Sequence, residues 1–435
     1  MSEKAPLAHA AEEYLPEPAP RRKGMALCLS GGGYRAALFH LGVLRRLDEL
    51  GTLSRVDTVS AVSGGSILAG YVAQRVGDWP VAQGPIPGFS DTVVPGFREF
   101  TRKNIRTMWA FRRALPWRWG DASVAVDGLA ERYEKDVIQL KLGELPQRPN
   151  YIFCATELTF GANWVAERGR VGSYMPGYVR PAPDWPAARA VAASSCFPPV
   201  FEPMSVDLEP ERFSGGLLAA DDPDRDELLS KLRLTDGGVY DNMALEPVWK
   251  RHAVLLVSDG GATFDRAGPA PIWRPFKQLG RYLEVQGRQA SALRRRWMIA
   301  SFVKGEMRGV YLGIGSCVTT FDPAAKGYPR DLVDDLIAEV RTDLDYFSDA
   351  EAAVLQNHGY LLADAAMRAY GVDWSTAAPL HVPYPEWLDG DRVRQALRKS
   401  HKRAPVVGRW RTIAGAGDAA SRGLRRVTGL FRRNR

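Results

Sequence analysis

The chain predicts an α/β fold on a mostly parallel central sheet, and three observations carry that expectation. Short apolar runs alternate with amphipathic stretches. Two of the junctions, Ser30-Gly31-Gly32-Gly33-Tyr34-Arg35 and Val62-Ser63-Gly64-Gly65, read as a strand, a tight turn and a helix start. The composition is that of a globular protein, with 45% hydrophobic and 25% charged residues over 435 positions, enough for a substantial core.

Taken in order, Met25 to Ser30 reads as a buried strand, and Tyr34 to Leu50 as a helix with Leu38, Leu41, Leu44 and Leu47 on its apolar face. Val56 to Val62 is a second strand, and a helix begins near Gly64. Gly77 to Gly96, rich in Pro and Gly, predicts an irregular surface loop. Thr101 to Gly120 mixes arginines with Trp109, Phe111, Trp117 and Trp119, a pattern that suits either a packed helix with snorkelling arginines or a bilayer headgroup region.

Further strands are expected at Tyr151–Thr156, Leu232–Thr235 and Val254–Ser258, with a helix at Ala187–Ser195 and an acidic excursion over Ser205–Asp226. Phe276, Leu279, Leu283, Ala290, Leu293 and Trp297 mark one face of a long arginine-rich helix. Asp331–Leu344 reads as helical. Ser348-Asp349-Ala350-Glu351 has the form of a capping box and should start another helix. No internal repeat is evident.

Charge is unevenly placed. The formal net charge is +8, yet residues 392 to 435 alone hold 14 Lys and Arg against one acid, Asp418. The expected organisation is therefore a flexible segment at 1–23, a folded domain at 24–385 and a basic tail at 386–435. Within the tail Ala420, Leu424, Val427 and Phe431 fall at helical spacing among arginines, which fits a helix on an anionic membrane surface as well as a disordered end. Met1 to Lys23 has no continuous apolar region, which argues against a cleaved signal peptide, and no run approaches the length of a membrane span. Cys28, Cys154, Cys196 and Cys317 lie far apart and read as reduced, packed residues of a cytoplasmic protein.

The chemistry gathers at the two glycine turns. A serine hydroxyl needs a base, and the intermediate it forms needs donors aimed at the new negative charge. Ser63 sits between a strand and a helix, and its small neighbours Ala61, Gly64 and Gly65 permit a sharp nucleophile elbow. Alternatively the tetrad is a plain helix cap. The amides of Gly31, Gly32 and Gly33 at a helix start form an anion-binding concavity. Gly31-x-Gly33-x-x-Ala36 also matches a dinucleotide fingerprint, but the second strand ends in Val62-Ser63-Gly64 and lacks the acidic residue that would hold a ribose. Arg35 is expected to orient the loop or to form a helix-surface ion pair.

For the base, two Asp-Gly-Gly turns end expected strands, at Asp236 and Asp259. Asp236 should stand at the same sheet edge as Ser63, where an Asx turn is the alternative reading. An aspartate near its ordinary pKa of ~3.9 is a weak base, so burial would be required. A Ser/Asp/His arrangement with His252 or His358 stays open.

Gly31-Gly32-Gly33-Tyr34-Arg35, Ser63-Gly64-Gly65 and Asp236-Gly237-Gly238, in this order, resemble the patatin-like phospholipase family, specifically its bacterial members. Ala190–Phe201, Thr342–Phe347 and Asn357–Tyr360 extend the likeness, which covers about Met25 to Tyr370. Ala61 and Ala36 stand where the family more often has Gly. The resemblance implies a three-layer α/β/α fold and a Ser63/Asp236 dyad that needs neither histidine, metal nor cofactor. It also implies an oxyanion loop of Gly31, Gly32, Gly33 and Arg35, and hydrolysis of lipid acyl esters through an acyl-enzyme. The expected partners are a lipid substrate and an anionic membrane surface, reached through Thr101–Gly120 and residues 415–435, with a cytoplasmic, peripheral location. The rival class is a basic membrane- or nucleic-acid-binding protein with inactive hydrolase motifs; of the two polymers nucleic acid is the less expected.

Overall fold

The computed structural model describes residues 21–105, 124–198, 200–261, 275–398 and 400. β1 (Met25–Leu29) turns into α1 (Gly33–Glu49), and β2 (Thr58–Ala61) turns into α2 (Gly64–Val76). After α3 (Phe89–Phe100) and α4 (Val124–Asp136) come β3 (Asn150–Glu157), β4 (Ala162–Glu167), β5 (Arg170–Ser173) and β6 (Gly177–Val179). Next are α5 (Ala187–Ser195), β7 (Met204–Ser205), β8 (Phe213–Ser214), α6 (Arg225–Ser230), β9 (Arg233–Asp236) and β10 (Val254–Asp259). The described chain closes with α7 (Pro275–Val303), β11 (Arg308–Gly313), α8 (Asp349–Tyr370) and α9 (Gly390–Leu397).

One sheet holds all eleven strands of the described residues. β11, β10, β1, β2 and β3 are parallel neighbours in that order, and β4, β5, β6 and β8 continue from β3 as antiparallel strands. Strand pairing decides the site. Along one edge of β3, β2 stops with Ala61 opposite Phe153, and β9 enters from the other direction with Asp236 opposite Ala155. Two chain ends therefore meet head to head on a single strand.

Both sheet faces are covered, as the strand alternation requires. Met25, Leu27 and Leu29 face the larger core with α1, α2, α5 and α8, whereas Ala26 and Cys28 face a smaller one with Met243, Val248 and Met298. This is a lopsided three-layer α/β/α arrangement, in agreement with the expected fold class. α1 and α8 lie against each other so closely that a Cβ on Gly42 would stand 2.0 Å from Gln356 O, and one on Gly359 would stand 2.1 Å from Phe39 O. Beside this contact the fully buried Arg46 guanidinium donates to Asp364 Oδ1 from Nε at 2.9 Å and from Nη2 at 2.6 Å.

Five expectations are corrected or refined. Residues 89–96 are not loop but the start of α3, whose Phe89, Val93, Phe97 and Phe100 are buried around an internal Pro95. The expected helix at Asp331–Leu344 ends at Ile337, because the carbonyls of Ala338 and Val340 accept from Arg35 instead of continuing a helix. The fold runs past residue 385, since Val393 and Leu397 of α9 are buried. The excursion at 205–226 contains β8 and the start of α6, and β8 extends the sheet beyond β6. The apolar face of the long helix, α7, points outward and leaves Leu279, Leu283 and Leu293 more than half exposed. The capping box at Ser348 forms as expected, with Glu351 N donating to Ser348 Oγ at 3.3 Å and Ser348 N donating to Glu351 Oε2 at 2.8 Å. Most of Thr101–Gly120 and the tail from residue 401 lie outside the described residues.

The α1–α8 contact yields a stability prediction. Gly42→Ala should lower the free energy of unfolding by about 3 kcal/mol, as read by urea denaturation, because backbone must move to admit one methyl group.

Candidate active site

The turn after β2 places Ser63 in an unusual backbone conformation, with φ 52° and ψ −117°. A non-glycine residue held at positive φ costs on the order of 1–3 kcal/mol, so the surroundings must impose it. Gly64 shows how: a Cβ there would lie 2.1 Å from Gly33 O, so the absence of a side chain lets the elbow sit directly on the glycine loop after β1. The hydroxyl then stands at the N-terminus of α2, where the helix dipole favours developing negative charge.

Asp236 ends β9 and shares a cleft of about 1260 Å³ with Ser63, Gly31, Gly32 and Gly33. It is almost wholly buried, and burial pushes its carboxyl up to about 6. The Gly238 amide, donating to Oδ1 at 2.8 Å, and the nearby Ser63 hydroxyl favour the charged form and limit that rise. Oδ2 itself has no hydrogen-bond partner, so the Ser63 hydroxyl acts on the carboxyl without a formed hydrogen bond to that oxygen. Asp259 lines the same cleft in a different state, with Oδ2 accepting from Tyr311 Oη at 2.7 Å and Oδ1 from Gly261 N at 3.0 Å. Of the two carboxylates, only Asp236 keeps an oxygen in reserve.

The glycine loop divides in a way its spacing did not reveal. Gly31 N donates to Asn242 O at 3.0 Å, which removes it from the expected set of oxyanion donors. Among the described residues, the amides of Gly32 and Gly33 have no such backbone partner, and both residues line the cleft. Arg35 is likewise not a cleft residue. Its Nη1 donates to Ala338 O and Val340 O, both at 2.9 Å, and its Nη2 to Gly260 O at 3.0 Å. Burial lowers its pKa to about 10, so it remains charged while clamping three carbonyls behind the loop.

The histidines stand elsewhere. His252 Nε2 meets Thr58 Oγ1 at 3.0 Å, at the opposite end of β2 from Ser63. His358 Nε2 meets Ile314 O at 2.7 Å, and burial lowers its pKa to about 4. His40 bridges Ser30 O and Ser258 Oγ behind the glycine loop, also with its pKa lowered by burial to about 4. None of the three lines the cleft. Among the described residues no group of three His, Cys, Asp or Glu side chains could hold a metal ion, and no helix is long and apolar enough to cross a membrane.

The family profile described as patatin-like phospholipase matches residues 27–249, a span that runs from the glycine loop through Ser63 to beyond Asp236. The chain belongs to the patatin-like phospholipase family. Among solved structures, human GIVD cytosolic phospholipase A2 is similar at 13% identity over 87% of this chain and 63% of that one, with a TM-score of 0.45. The same human enzyme bound to methyl gamma-linolenyl fluorophosphonate matches at 14% identity over 90% and 62%, with a TM-score of 0.42. VipD from Legionella pneumophila matches at 15% identity over 81% and 68%, with a TM-score of 0.34. The chain spans less than two thirds of the human enzyme's length. No curated protein sequence matches it.

This patatin-like site contains one organising residue that sequence reading missed. Ser194, at the end of α5, accepts the Ser63 amide twice, through its carbonyl at 3.1 Å and its Oγ at 2.9 Å. The same carbonyl accepts Gly237 N at 3.2 Å, and the same hydroxyl pairs with Ser66 Oγ at 2.8 Å. Ser194 thus ties the turn after β2 to the turn after β9. Its one signal in the sequence is a pair of hydroxyls closing an otherwise Ala- and Val-rich helix, Ala187–Ser195.

Burial of Asp236 sets a pH-dependent stability. An ordinary aspartate ionises near ~3.9 when unfolded, whereas Asp236 ionises at about 6 when folded. Its contribution is therefore intact below pH ~4 and is lost as pH rises through about 6, where the folded state must carry a desolvated charge. Asp236→Asn should unfold at a higher temperature than the parent at pH 7.5, by an amount equivalent to about 3 kcal/mol at most. Thermal melts at pH 4 should show that advantage gone.

Proposed function

We propose that this protein is a lipid acyl hydrolase in which Ser63 is the nucleophile, Asp236 the general base and the amides of Gly32 and Gly33 the oxyanion donors. The observation that carries this reading is the buried Asp236 carboxyl with an unpartnered Oδ2, in one cleft with a serine on a strained elbow. A carboxyl at about 6 is ionised at neutral pH and still basic enough to take a proton in the transition state.

In the forward half-reaction the Ser63 Oγ–H proton passes to Asp236 as Oγ attacks the ester carbonyl, and the negative charge forms on the carbonyl oxygen. The Gly32 and Gly33 amides at the start of α1 receive that charge. Collapse breaks the ester bond, and Asp236 returns its proton to the leaving alcohol. Water then enters, gives a proton to Asp236 and attacks the acyl-enzyme; collapse breaks the bond to Ser63 Oγ, Asp236 passes that proton to Oγ, and the fatty acid is released. Ala61 and Gly65 keep the elbow small enough for this approach.

A lipid fits the cleft better than a small polar ester does. Phe197, Val200, Phe201, Phe302 and Ile314 supply apolar wall, and the volume exceeds the usual range of about 300–1,000 Å³ for small-molecule pockets. Peripheral attachment to an anionic membrane through residues 415–435 belongs to the same reading, and a deletion of that tail should reduce co-sedimentation with anionic liposomes.

Ser63→Ala and Asp236→Asn should each lower hydrolysis of a short nitrophenyl ester by at least about 10³-fold and, for Ser63→Ala, abolish labelling by a fluorophosphonate probe. The parent's kcat/KM should fall on the acid side with a midpoint at about 6. His252→Ala and His358→Asn should retain turnover; its loss in a folded histidine variant would transfer the base role to histidine. Ser194→Ala should lower kcat by about 10-fold or more at nearly constant KM, since it loosens the elbow without touching substrate.

A further inference from the structure

We propose that the outward face of α7 is the surface by which the protein docks on an anionic lipid bilayer. The proposal rests on the reading of the cleft as a site for membrane lipids. An amphipathic helix on a globular protein ordinarily turns its apolar stripe inward. α7 does the reverse. Leu279, Tyr282, Leu283, Leu293 and Trp297 share one face and are 38–62% exposed, while Glu284, Arg288, Ser291 and Arg295 on the opposite face line the cleft.

Contacts toward its C-terminal half anchor the helix. Met298 is fully buried, Trp249 and Trp297 stack edge to face with centroids 4.7 Å apart, and Arg294 donates to Tyr240 O. From Leu279 to Ala290 the side chains are exposed, apart from Arg281 at the margin. The helix therefore carries an apolar stripe on one side and the wall of a lipid-sized cleft on the other. A lipid leaving a bilayer in contact with the stripe would have to pass only this one helix to reach the cleft.

Charge selects the occupant. Of the five arginines in residues 278–303, Arg288 and Arg295 line the cleft and Arg281 pairs with Glu284, so the positive rim of the stripe is Arg296, Arg294, itself 3.8 Å from Asp241 and Glu246, and Lys250 over the Trp249 ring that stacks on Trp297. By helical spacing Arg294 and Arg296 border Leu293 and Trp297 on either side. Apolar residues flanked by arginine suit an interface of acyl chains beneath anionic headgroups. A second copy of the chain packed stripe to stripe would set the same positive charges against each other, and so is disfavoured.

The test uses the full-length protein and vesicles of either equimolar phosphatidylglycerol and phosphatidylcholine or phosphatidylcholine alone. The parent should sediment preferentially with the anionic vesicles, and Leu283→Glu/Leu293→Glu should reduce that binding by about ten-fold. Neither leucine lines the cleft, so hydrolysis of the soluble nitrophenyl ester should stay within about two-fold of the parent. Leu283→Gln gives the same direction of change should the double variant not fold. Undiminished sedimentation of a folded variant overturns the proposal. So does a parent dimer that the double exchange makes monomeric while vesicle binding persists, because the stripe then faces a second copy. Loss of vesicle binding together with a parent inactive on the ester sustains the docking surface and rejects the hydrolase reading instead.

Discussion

Everything at the site depends on one shared strand edge. β2 and β9 approach from opposite directions along β3 and stop with Ala61 opposite Phe153 and Asp236 opposite Ala155. Neither could extend without displacing the other, so both must turn out of the sheet at nearly the same point. Gly237 makes the second turn sterically feasible, since a Cβ there would lie 2.4 Å from Cys154 O. The backbone polar groups freed at the two turns need partners in a buried setting, and Ser194 O receives one amide from each. A single carbonyl thereby fixes the spacing of two segments more than 170 positions apart in the chain.

The same crowding sets the electrostatics. Strand ends that meet inside the protein exclude water, and the carboxyl of Asp236 is raised by burial with one amide and one neighbouring hydroxyl to oppose the shift. Asp259 lies in the same cleft with both oxygens engaged. Two aspartates at similar Asp-Gly-Gly turns are thus distinguished by their neighbours rather than by their local sequence. Arg35 serves the glycine loop from behind, spending its donors on Gly260, Ala338 and Val340 carbonyls and so joining the end of β10, the start of α1 and the segment after Ile337.

Helix α7 reverses the rule by which helices are placed from sequence. Periodicity finds the apolar stripe of Leu279, Leu283, Leu293 and Trp297 correctly, yet it carries no information about what the stripe faces. Here α7 runs along the cleft, and Glu284, Arg288, Ser291 and Arg295, joined toward the C-terminal end by Ile299 and Phe302, take the side that lines it. Likewise Pro95 and Gly96 hide α3 from a reading of turn signals, because burial of Phe89, Val93 and Phe97 outweighs them.

Much was legible in the chain itself. The parallel strands, the two glycine turns that begin α1 and α2, the capping box at Ser348 and the position of Ser63 and of two Asp-Gly-Gly turns at strand ends follow from local periodicity and turn chemistry, which short segments encode on their own. Tertiary structure alone decided the antiparallel entry of β9, the loss of the Gly31 amide to Asn242, the inward use of Arg35, the role of Ser194 and the outward stripe of α7. These depend on which distant groups meet, and a residue's own neighbours in sequence do not specify the partner that a fold brings to it.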